Sequence, residues 1–100
     1  MKRPPFFDAI EKNDPALLKQ MLTLGEFSGK EGALSAKTKT LMGLFGDALL
    51  GHAEGVRAVA DIARSQGATE DEINETVRMA FFFGGVPALV TATNAYKKPE

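Results

Sequence analysis

Apolar residues recur three and four positions apart along the chain, and no stretch alternates as a half-buried strand would, so the pattern predicts helices throughout. After a short N-terminal segment, Asp14 and Pro15 read as the cap and first residue of a helix through ALLKQMLTL. The three glycines of GEFSGKEG, residues 25–32, predict a loop. Ser35 suits the cap of the next helix, which carries Leu41, Met42, Leu44, Phe45, Ala48 and Leu49 on one side until Gly51 interrupts it. A further helix is expected from about His52 to Gln66, with Gly67 free to turn left-handed just past its end. Thr69 to Glu72 form a capping box, and its acids suit the positive end of a helix dipole. The helix it opens is expected to bury Ile73, Val77, Ala80 and Phe81 and to end at Gly84-Gly85. Pro87 then opens a last helix, PALVTATNAY, before a charged tail. The expected fold class is all-α, a small domain of five or six helices.

Composition narrows the chemistry. A chain of 100 residues, 44% apolar and 25% charged, has the size and make-up of one globular domain. Twelve basic and thirteen acidic side chains give a net charge of −1 and no basic stripe, so nucleic acid is not an expected partner. With no cysteine there is no disulfide, thiolate metal site or thiol chemistry, and a cytoplasmic location is the default expectation. Arg78 and Lys97 enclose eighteen uncharged residues, the length of a bilayer span. GGVP breaks that stretch and Thr91, Thr93 and Asn94 interrupt its apolarity, so two buried helices meeting at a break are expected rather than a membrane partner. No phosphate-binding glycine loop, paired-histidine zinc motif or Ser-His-Asp signature occurs, and no cofactor or metal is expected.

From Lys37 to Tyr96 the chain resembles the carboxymuconolactone decarboxylase family, which includes the alkylhydroperoxidase D branch. The resemblance rests on KTKTLMGL, GATEDEINETV and FFFGGVPALVTATNAY at their observed separations. It implies an all-helical fold and assembly as a homo-oligomer, a trimer or hexamer. The peroxidase branch carries Cys-x-x-Cys-x-x-x-His and an upstream glutamate. Matching its histidine to His52 leaves too long a gap before Gly67. Matching Gly67 and Lys37 instead fits both flanks, and puts the cysteines at His52 and Gly55, the histidine at Val59 and the glutamate at Thr40. Thiol peroxidase activity is then excluded by the missing thiols. The decarboxylase branch, which does without the cysteine pair, is the nearer likeness, although its histidine also falls at Val59.

His52, the only histidine, shares a helical face with Gly55, Val56, Val59 and Ala63, opposite a solvated face of Glu54, Arg57, Asp61 and Arg64. It is therefore expected to point inward, into a cleft or a subunit interface. On the preceding helix Thr40, Gly43 and Asp47 cluster on one side. The candidate catalytic site is His52 as general base, Asp47 as the group that orients it, and Thr40 in the family's acid position. The competing reading is a hydrogen-bonded core or interface histidine, which is commoner for a lone histidine on an apolar face; symmetry-related copies are the one route to a metal site. Phe81, Phe82 and Phe83 cannot all face one core, and their surplus apolar surface suits a subunit contact or pocket wall. The function expected is proton transfer, decarboxylation or lactone chemistry on a small carboxylated molecule. The alternative is a non-catalytic oligomeric scaffold or small-ligand-binding member.

Overall fold

The computed structural model describes residues 3–98. It contains helices α1 (Pro5–Asn13), α2 (Pro15–Gly29), α3 (Ala36–Leu49), α4 (Ala53–Ser65) and α5 (Glu70–Ala92), followed by a 3-10 turn over Thr93–Ala95. No strand occurs among the described residues. The fold is all-α, and the chain divides into two compact units, Met1–Lys30 and Glu31–Glu100.

In the first unit Asp14 serves two helices at once. Its backbone N–H donates to the Ile10 carbonyl at 2.6 Å, closing α1, while its carboxylate accepts from the Leu17 amide at 3.0 Å, opening α2. Pro15 takes the first helical position, where a missing N–H costs nothing. The expected short N-terminal segment is itself a helix, likewise begun by a proline. The expected loop over 25–32 begins five residues later than the glycines suggest, because α2 runs on to Gly29. Neither Gly25 nor Gly29 takes a positive φ, and the Lys30 amide still donates to the Glu26 carbonyl. Glycine weakens a helix interior by only about 1 kcal/mol, which does not end a helix whose hydrogen bonds continue.

The second unit packs α3, α4 and α5 around Leu44, Ala48, Val56, Ala60, Ala63, Ile73, Val77 and Ala80. Seven of the eleven clustered core residues are alanine, so the helices lie close together. Gly84 marks one such approach: a Cβ there would stand 2.5 Å from Ala88 Cβ and 2.6 Å from Leu49 Cδ2. Ser35 caps α3 by accepting from the Thr38 amide. Both halves of the Thr69–Glu72 capping box are made, and Lys37 Nζ adds an ion pair to Glu72 at 2.9 Å, joining the starts of α3 and α5. The Thr69 amide first, then Lys37, hold the Glu72 carboxyl below its ordinary value of 4.5.

One expectation about α5 changes and another holds. Ala80, not Phe81, completes the buried row with Ile73 and Val77, because positions 73, 77 and 80 follow the helical spacing; Phe81 is exposed. The expected break at Gly84-Gly85 is present: α5 is two helical stretches that meet at a kink there. Gly85 stands at φ 73°, ψ −163°, a conformation open to glycine, and Pro87 has no N–H to offer the turn before it. The stretch Glu70–Ala95 has the length and apolarity of a membrane-crossing helix, and only 22% of its most apolar window is buried within the chain.

Candidate functional site

The end of α3 determines where His52 lies. Gly51 takes φ +77°, its amide donates to the Ala48 carbonyl at 3.3 Å, and the His52 amide donates to the Asp47 carbonyl at 2.9 Å. These are the two bonds of a Schellman ending, with Gly51 in the left-handed position and His52 just beyond it. His52 is at the same time the cap residue of α4, at φ −91°, ψ 80°, and makes no side-chain cap bond. Residues 47 and 52 are therefore tied through the backbone before their side chains are considered.

The side chains meet as well. His52 Nδ1 lies 3.4 Å from Asp47 Oδ1, at the long end of hydrogen-bond range. Asp47 is half-buried against α4, and Gly55 makes its position available: a Cβ at residue 55 would fall 2.6 Å from Asp47 Oδ2. One turn earlier the packing at Gly43 is looser, and a Cβ there would make an ordinary contact with Val59 Cγ1 at 3.7 Å. The seam between α3 and α4 thus brings Asp47 to His52 and Gly55, and Gly43 to Val59.

The expectation that His52 points inward is corrected. Its side chain is 61% exposed in the protomer, because the residue precedes α4 and its non-helical backbone releases it from the helical phase assumed for it. Thr40 is not drawn into the pair: its hydroxyl donates to the Ala36 carbonyl at 3.0 Å, along its own helix. The charged face of α4 is also less solvated than expected. Arg57 donates to Asn94 Oδ1 at 2.8 Å, and Arg64 donates to Glu70, Asp61 and the Ala95 carbonyl. Those contacts fasten α4 to the turn after α5.

A second feature is an apolar groove of about 400 Å³ between α3 and α5. Leu41, Met42 and Phe45 form one wall and Met79 and Phe83 the other, with Phe45 and Phe83 in edge-to-face contact at 5.8 Å. Leu41 and Phe45, read from their spacing as part of one apolar side of α3, pack against the core from its edge and also line this groove.

Compared with protein families, the chain matches the carboxymuconolactone decarboxylase family over residues 15–98. The chain belongs to the carboxymuconolactone decarboxylase family. Among solved structures it is similar to the crystal structure of a carboxymuconolactone decarboxylase family protein from Legionella pneumophila. The two are 28% identical, with a TM-score of 0.82 over 88% of this chain and 79% of that one. No curated protein matches the chain. This member of the family is cysteine-free.

Proposed function

We propose that this carboxymuconolactone decarboxylase family member transfers protons through His52, with Asp47 as its positioning residue, on a small carboxylated or lactone-like substrate. The observation that carries the reading is the 3.4 Å contact of His52 Nδ1 with Asp47 beside an otherwise accessible ring. A carboxylate at Nδ1 holds the imidazole in one orientation and leaves Nε2 to exchange a proton with substrate. In a decarboxylation the bond to the carboxylate breaks and CO2 leaves. The electron pair passes into a neighbouring carbonyl as an enolate, whose carbon takes a proton from the imidazolium. Asp47 offsets the ring's positive charge while it holds that proton. Thr40 stays outside this chemistry, since its hydroxyl is engaged along α3.

The working form in this reading is a homo-oligomer, a trimer or hexamer, in which the exposed Phe81, Phe82, Phe83, Val86 and Val90 meet a second copy. The test is decarboxylation of carboxymuconolactone followed by NMR. Wild type is expected to turn over, and His52→Ala to lose about a hundredfold. An inactive wild type, or an unaffected His52→Ala variant, rejects the proposal.

The α3–α5 groove favours a second reading, a non-catalytic member that binds a small apolar ligand there. Saturable binding of an apolar fluorescent probe, abolished by Phe45→Glu and indifferent to His52→Ala, would support that reading.

A further inference from the structure

Helix α4 and the segment Asn94–Lys98 flank a cleft of about 350 Å³. Arg57, Arg64, Lys97 and Lys98 line it, with Asp61 as the one carboxylate in the lining. This is a concentration of positive charge on a chain whose net charge is −1.

The cations differ in how far they are already answered. Arg64 is saturated: Nε and Nη2 donate to the Glu70 carboxylate at 2.8 and 2.9 Å, Nη1 to Asp61 at 3.2 Å, and Nη2 also to the Ala95 carbonyl at 2.7 Å. That network makes a rigid floor. Arg57 spends Nη1 on Glu54 and Nη2 on Asn94, but its Nε is buried without any acceptor. Lys97 and Lys98 form no ion pair among the described residues, although Lys97 contributes to the field at Glu70. The cleft therefore offers two ammonium groups that make no ion pair among the described residues, beside two arginines, the amide of Asn94 and the phenol of Tyr96.

We propose that this cleft binds a small, multiply charged oxyanion: a phosphate group or a compact di- or tricarboxylate. A monoanion would leave one lysine unanswered, and the cleft is too small for a polyanion to follow. The bound anion bridges α4 to the segment 94–98 and leaves His52, which is not among the lining residues, free for its own chemistry.

The test uses the full chain and two probes, inorganic phosphate and citrate, each titrated at constant ionic strength and followed by backbone amide shifts. Saturable shifts confined to Arg57, Asp61, Arg64 and residues 94–98 are expected, with a rise in thermal midpoint. Phosphate alone, citrate alone or both answering would identify the anion class. The double variant Lys97→Gln/Lys98→Gln touches no contact that holds the fold, so its midpoint in chloride is expected to be unchanged. Its affinity is expected to fall about tenfold or more, as for one or two lost charge-assisted contacts. Shifts that never saturate, shifts scattered over the surface, or equal affinity in the double variant would reduce the cleft to ordinary screening of surface charge.

Discussion

The carboxylate of Asp47 occupies the space where a side chain at Gly55 would begin, with 2.6 Å separating Oδ2 from the position of a Cβ. A Gly55→Ala variant cannot keep both. Its helix propensity improves by about 1 kcal/mol, and the atom in the way is the end of a short, movable side chain, so the fold should survive while Asp47 swings off His52. Circular dichroism should be unchanged, the His52 ring resonances should move, and any turnover that depends on the pair should fall as it does in Asp47→Asn. Ring resonances identical to wild type would show that Asp47 does not need that space.

Gly51 should be far less forgiving. At φ +77° an alanine costs about 1–2 kcal/mol, and relaxing the strain means opening the turn that holds the His52 amide on the Asp47 carbonyl. Gly51→Ala should therefore lower the thermal midpoint by several degrees and weaken the His52–Asp47 contact together. A calorimetric scan with the same ring resonances separates the two effects.

Acid should loosen the second unit through Glu72. Its folded value is depressed, so its contribution is complete above the ordinary 4.5 and is lost as pH falls through the lowered value. Glu70, held down mainly by Arg64, acts in the same direction. Urea midpoints measured from neutral pH downward should decline below about 4.5 in wild type. The Glu72→Gln variant should start lower and follow a flatter course.

Phe82, 74% exposed, is the most exposed of the three consecutive phenylalanines. If a second copy covers this face, Phe82→Glu should turn a trimer or hexamer into protomers by light scattering, because a buried carboxylate without a partner is strongly disfavoured. A wild-type monomer that pelleted with lipid vesicles would instead assign the face to a bilayer.

The parts of the fold legible in the sequence were those that a single residue's chemistry dictates. Asp14, Ser35 and the Thr69–Glu72 box cap as their side chains require, and Gly67 turns left-handed at φ +93°. The misjudged parts depend on helical phase or on neighbours. Spacing from Ile73 and Val77 admits both Ala80 and Phe81 to the buried face, and only Ala80, the nearer in helical phase to Ile73, is enclosed. His52 stands one residue before α4 begins, so the helical phase of that sequence does not set its direction. Its approach to Asp47 rests on the turn at Gly51 and the missing side chain at Gly55, and no motif around a histidine signals either. Arg57 and Arg64 reach residues 94 and 95, more than thirty positions away, a partnership that local charge spacing cannot reveal.

The prevalence of alanine in the core sets an unusual pattern of tolerance to mutation. Most cores are wounded by truncation, since deleting methylenes leaves a cavity. Here Ala48, Ala60, Ala63 and Ala80 have almost nothing to lose, and all four are fully or nearly fully enclosed. Enlargement is the damaging change: even valine at Ala60 must push helices apart. Sequence drift in the second unit is thus confined by a ceiling on side-chain volume, where other proteins meet a floor.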